Sequence, residues 1–199
     1  MSPAEAAQPD QGPVLDTRLR GKQLHADPRV ITYGRHSMAL DEVEWVAFWA
    51  AHTATKRMLT PTSHHSEYSF EVGKDPYPVG RRIIVHEYVP GKSEDPPEVW
   101  TFLVNLAERY LVPRLLADLV DRVRRGETVT VGGSVKVNQD GIVCRKPTVS
   151  ASWQSITRVV PYQGMVWIYQ AGIEKPVLTV PLRHPNAGLM PALFAAFMP

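Results

Sequence analysis

The residues best equipped for chemistry are His52, His64 and His65, with Glu67 close behind them in the chain. Imidazole and carboxylate groups bind zinc, but a zinc site needs its ligands to converge from defined elements. His64-His65-Ser66-Glu67 has no HExxH pattern and no Cys-x-x-Cys partner. The polar run from Lys56 to His65 places it on a loop, where solvated histidines are the expectation. Cys144 is the single thiol. Its strand-like surroundings offer no neighbouring base, so it reads as a small buried hydrophobe rather than a nucleophile. No G-x-S-x-G, phosphate-binding loop or dinucleotide fingerprint occurs. The expectation is a chain with no catalytic residue, no cofactor and no metal.

Arg122, Arg124 and Arg125 form the densest cationic group. They close the longest helical pattern in the chain, Pro96 to Glu127. Cations suit the negative end of a helix, so a helix-terminus role is favoured over an anion site. Val99, Phe102, Leu103, Leu106 and Tyr110 recur at helical spacing, and Val112, Leu115, Leu116, Leu119 and Val123 continue the stripe. Asp95 reads as the N-cap and Gly126 as the stop. Pro113 lacks a backbone donor and should kink or split the helix near Val112. Trp100, Val104 and Leu111 lie off the main stripe. So wide an apolar arc calls for cover on both sides, and hence for two halves that unfold together.

Both flanks of this helix read as short strands. In the first half, Lys22 to Ala26, Val30 to Tyr33, Tyr68 to Val72 and Ile83 to Tyr88 are strand-like. Leu40 to Thr55 fits either a helix or a bent strand. In the second half, Val129, Val131, Val135 and Val137 alternate around Gly132-Gly133 and suggest one long strand with a bulge. Gln139-Asp140-Gly141 signals a hairpin. Strands follow at Ile142 to Arg145, Val149 to Trp153, Ile156 to Tyr162, Met165 to Tyr169 and Val177 to Leu182. Asn186 would cap a short C-terminal helix.

The 199 residues can bury a sizeable core. A hydrophobic fraction of 44% and a charged fraction of 21% are ordinary for a globular chain. A formal net charge of +2 is too mild to argue for nucleic acid. The lone cysteine fits a reducing compartment, and no apolar run is long enough to span a bilayer. The first residues lack a basic and an apolar signal region and read as a disordered tail, which points to a soluble cytoplasmic protein.

Ser37 to Val46 (SMALDEVEWV) lies over Ser150 to Val159 (SASWQSITRV). Leu40, Val43 and Val46 match Trp153, Ile156 and Val159, and the turn and strand at Asp27 to Tyr33 resemble those at Asp140 to Arg145. This weak repeat favours a strand after Glu44. The W-x-x-I step from Trp153 to Ile156, followed by strands and a terminal helix, resembles bacterial pleckstrin-homology-like domains. With the G-x-V-x-V-x-x-x-G-I stretch from Gly133 to Ile142, the chain from about Leu24 is similar to an uncharacterised bacterial family carrying two such units in tandem.

That resemblance implies an α+β fold: two bent antiparallel sheets in tandem, each followed by a helix, with a long central helix between. It places a tail at residues 1–20, a first unit at 21–126 and a second at 127–199. It implies a binding or scaffold module without catalytic residues. In eukaryotic relatives a first-strand lysine and a K/R-x-R in the second strand cradle lipid phosphates. Here Lys136, Arg145 and Lys146 are the candidate anion or lipid contacts. Adjacent strand residues face opposite ways, so Arg145 and Lys146 should not form such a cradle. The leading expectation is a non-catalytic module for an unidentified protein or peptide. Peripheral contact with anionic lipid is the alternative, and an enzyme with an unrecognised site is the third.

Overall fold

The computed structural model describes residues 12–56, 62–91 and 95–198. Among them the chain is α+β, with four antiparallel sheets and three α-helices. Strands β1 (Leu15–Leu19), β2 (Lys22–Ala26), β3 (Val30–Tyr33) and β4 (His36–Ala39) form a four-stranded meander. A 3-10 turn at Leu40–Glu42 leads into a three-stranded meander of β5 (Trp45–Thr55), β6 (Ser63–Gly73) and β7 (Arg82–Pro90). Helices α1 (Glu98–Tyr110) and α2 (Val112–Arg124) follow. The second half repeats the order. Strands β8 (Val129–Val131), β9 (Val135–Asn138), β10 (Gly141–Arg145) and β11 (Thr148–Ser152) make four strands. A 3-10 turn at Trp153–Ser155 precedes β12 (Ile156–Tyr162), β13 (Met165–Gln170), β14 (Leu178–Pro181) and helix α3 (Met190–Ala195).

The 3-10 turns at Leu40–Glu42 and Trp153–Ser155 fall where the sequence repeat aligns. Val43 N–H donates to Leu40 O in the first, and Ile156 N–H to Trp153 O in the second. Leu40, Val43, Trp153 and Ile156 are all buried. The same geometry resolves the ambiguity of Leu40 to Thr55: after the turn the chain is a strand.

Several expectations are corrected. The long central helix is two helices of 13 residues each, parted at Leu111, because Pro113 in the first turn of α2 has no N–H to continue the ladder. Pro97, not Asp95, occupies the N-cap position. The chain is already in a strand at Leu15, so the tail expected over residues 1–20 does not extend that far; residues 1–11 lie outside those described. Val129 to Val137 is a hairpin rather than one bulged strand, with Val131 paired to Val135. Gly132 and Gly133 both have positive φ, which turns the chain completely instead of bending it. Ser63 to His65 belongs to β6, not to a loop.

The arc of apolar side chains on the two helices is covered. Leu103, Leu106 and Leu111 are buried, as are Leu115, Leu119 and Val123. They belong to one continuous apolar cluster that includes Phe70 and Val85 of the first half and Val131, Val137 and Ile168 of the second. Arg114 ties α2 to the first 3-10 turn, donating from Nη2 to Leu40 O at 2.8 Å and Val43 O at 2.6 Å. Gly126 ends α2 as expected: it has positive φ, and Glu127 N–H donates to Arg122 O.

Candidate interaction surface

Strand β5 is an edge strand of 11 residues, and its register against β6 runs unbroken from Trp45↔Gly73 to Thr55↔Ser63. Its outward side can be read from Val46. Val46 N–H donates to Asn186 Oδ1 at 3.0 Å, and Val46 O accepts from Asn186 N–H at 2.8 Å. Both groups therefore point away from β6. Backbone direction alternates along a strand, so the N–H and C=O of Phe48, Ala50, His52 and Ala54 also face outward. Among the described residues these groups have no hydrogen-bond partner. Asn186 thus caps the start of the edge, Gly188 and Leu189 flank it as far as Phe48, and among the described residues the outward backbone groups beyond Val46 stay unpaired.

Asn186 corrects another expectation. It sits at the N-cap position of a 3-10 turn, Ala187–Leu189, that leads into α3, whose own N-cap is Leu189, and it makes no side-chain cap bond there. Its Nδ2 donates to Glu44 O at 3.3 Å, so the side chain bridges the two halves. Left-handed backbone geometry, with φ of 57°, aims it there. Asparagine tolerates that region better than most residues.

The outward half of β5 is also chemically unprotected. Trp45 to Thr55 contains no Lys, Arg, Asp, Glu or Pro. Natural sheets usually blunt a long edge with charge, proline, a bulge or shortness. The other edges here do so. Strand β1 carries Asp16 and Arg18, β12 has Arg158, Pro161 and a register shift, and β14 is four residues long. Strand β11 is uncharged but has only five residues.

One face of the β5–β7 sheet packs on α1, where Trp100 Nε1 donates to Ser69 O at 3.0 Å and its ring meets Tyr68. The opposite face carries Trp45, Trp49, Glu71 and His86. Trp45 is covered by the loop after β6, donating to Lys74 O and meeting Tyr77 edge-on. The indole N–H of Trp49 is covered yet has no acceptor. Burial raises the Glu71 carboxyl above its ordinary range, opposed by the Ser69 hydroxyl bond and by Arg82 and His86.

The sequence-derived candidates are dispersed. His52 Nδ1 bonds Ser66 Oγ at 2.7 Å, while His65 stacks on Tyr88 and lies 3.8 Å from Glu67. These are strand residues, and no group of three possible metal ligands forms among the described residues. Cys144 is buried and lies 3.7 Å from Ser134 Oγ. Lys136 pairs opposite Val143, two residues from Arg145 in β10, so Lys136 and Arg145 share one exposed face. Strand β10 ends at Arg145, so Lys146 lies in the following turn rather than on the opposite face of the strand. All three cluster at one end of their sheet. The equivalent end of the first sheet holds Arg20 and Lys22 at the β1–β2 turn and Arg35 at the β3–β4 turn. That second cluster is not legible in the sequence, because the turns adjoin only when the meander folds.

A polar cleft of about 820 Å³ separates the first 3-10 turn and the loop after β6 from α2 and β8. Its charged groups mostly serve each other. Lys74 pairs with Glu42 at 3.3 Å, Arg122 with Glu127 at 3.0 Å, and Glu44 accepts from Asp75 N–H. This is a seam between halves rather than a preformed ligand site.

No protein family, curated protein or solved structure matches the chain. Among the described residues, no helix is long and apolar enough to cross a membrane.

Proposed function

We propose that this protein is a non-catalytic interaction or scaffold module built from two pleckstrin-homology-like units in tandem. The repeated order of four strands, 3-10 turn, three strands and helix supports the tandem reading. The observation that carries the function is the open, charge-free outer half of β5. An added strand there would gain main-chain hydrogen bonds at once. Capture from native host extract tests it, using tagged full-length chain as wild type and as Ala50→Pro. Ala50 N–H faces outward, so proline there removes an edge donor and no bond to β6. Retention by the wild type and loss by the variant is the expected result. Equal retention by both proteins sinks the reading.

A second reading, peripheral contact with anionic lipid, draws on the two cationic sheet ends. Flotation with anionic and neutral phospholipid vesicles tests it. Binding restricted to anionic vesicles and lost in Lys22→Glu with Arg35→Glu supports it; absence of binding removes it. A head-group preference that vanishes in Arg145→Ala would show that the second-sheet cations form the contact.

A further inference from the structure

We propose that the open β5 edge joins two copies of this chain about a two-fold axis at Ala51, making one continuous sheet from both. The inference rests on the interaction reading above and names the partner. The outward-facing groups belong to Phe48, Ala50, His52 and Ala54, a set symmetric about Ala51. Antiparallel pairing centred there sets Phe48 opposite Ala54 and Ala50 opposite His52, twice over. Val46 is excluded because Asn186 already holds its N–H and C=O. The free stretch is therefore self-complementary and bounded at its start.

The side chains agree with that register. Large residues meet small ones: Phe48 meets Ala54 on one face, and Trp49 meets Thr53 on the other. In this register the half-buried Trp49 ring lies directly across the strand pair from Thr53 of the second copy, in one of the narrow pairs where side chains approach most closely. Trp45 to Thr55 carries no Lys, Arg, Asp or Glu, so the two-fold brings no fixed like charges together. A foreign peptide would find less. Ala50, His52 and Ala54 are exposed, and small side chains give little of the alternate-pocket contact that specifies an added strand. A C2 interface needs only one patch that complements itself.

Sedimentation equilibrium of the full chain across the micromolar range is the primary test. The expected wild-type mass is twice the chain's 22.3 kDa. Ala50→Pro and Ala54→Lys should each sediment as monomers while keeping the wild-type circular dichroism. A covalent test fixes the register. Odd-numbered residues of β5 form the narrow, non-hydrogen-bonded pairs across the proposed junction, with Cα atoms about 4.5 Å apart. That spacing suits a disulfide. Ala51→Cys should therefore crosslink to itself on mild oxidation, and the wild type, whose Cys144 is buried, should not. If Ala50→Pro fails to fold, the Ala51→Cys crosslink decides alone. A monomeric wild type overturns the proposal; if capture from extract still depends on Ala50, the interaction reading survives it with another partner. Loss of both removes both. A dimer untouched by the edge variants, or an Ala51→Cys protein that stays uncrosslinked, overturns the placement at β5.

Discussion

Val46 and Asn186, 140 residues apart, exchange two hydrogen bonds: Val46 N–H to Asn186 Oδ1 at 3.0 Å and Asn186 N–H to Val46 O at 2.8 Å. A residue before the last helix thus completes the edge of a strand in the first half. The pair is buried, so no water can replace either bond.

Removing the Asn186 side chain should be costly. Asn186→Ala leaves Val46 N–H and Glu44 O without partners, at about 1–3 kcal/mol. It also places alanine at positive φ, whereas Asn186→Gly loses the same two side-chain bonds but avoids that strain. Denaturant melts should rank wild type above Asn186→Gly and Asn186→Gly above Asn186→Ala. Wild-type stability in both variants would mean the bridge contributes nothing.

The shared core predicts cooperative unfolding. Leu106 is buried, so Leu106→Ala should cost about 2–5 kcal/mol. Leu116 is only partly buried, and Leu116→Ala should cost less. Calorimetry of either variant should show one transition, because α2 packs with α1, α3 and β8. A fragment of residues 127–199 should lack a melting transition, since it loses the cover that α2 gives β8 and β9. A folded fragment, melting where the whole chain shows a separate transition, would disprove the shared core.

His25 supplies a pH dependence. Its pKa is raised by the bond from Nδ1 to Asp16 at 2.8 Å, with burial opposing and Asp27 adding to the rise. A raised imidazole favours the protonated fold. Its contribution is complete below the ordinary histidine value of about 6.5 and is lost as pH rises through the higher folded value. Melting temperature should fall over that window in the wild type and fall less in Asp16→Asn. The effect should be small because both groups are accessible to solvent. Identical profiles for the two proteins would remove His25 as the cause.

Glu87 acts at lower pH with the same sign. Burial raises its carboxyl above the ordinary 4.5, against the opposing effects of the Trp100 backbone N–H and Arg20. Its Oε2 is covered and unpartnered. The fold prefers the protonated acid, so stability is full below 4.5 and declines as pH rises through the folded value. Glu87→Gln should abolish that decline while keeping an acceptor for the Trp100 backbone N–H. An unchanged acid limb in the melting profile would refute the assignment.

Local patterns in the sequence determined much of this protein. The β-branched runs gave strands, Asp140-Gly141 gave a hairpin, and Pro113 broke the helix where its missing N–H required. The match of Leu40 and Val43 to Trp153 and Ile156 marked two equivalent positions, and a 3-10 turn forms at each, with its two apolar side chains three residues apart at a sheet corner. The lack of charge from Trp45 to Thr55 was also plain to read. What could not be read was which strand would be an edge, since that depends on pairing between segments distant in the chain. Asn186 looked like a helix cap because capping is a local preference; its true partner lies 140 residues away and exists only once both halves have packed. Arg20, Lys22 and Arg35 became neighbours for the same reason. Short-range sterics and hydrogen bonding fixed the elements, and burial of the shared apolar cluster decided which of their surfaces remained open.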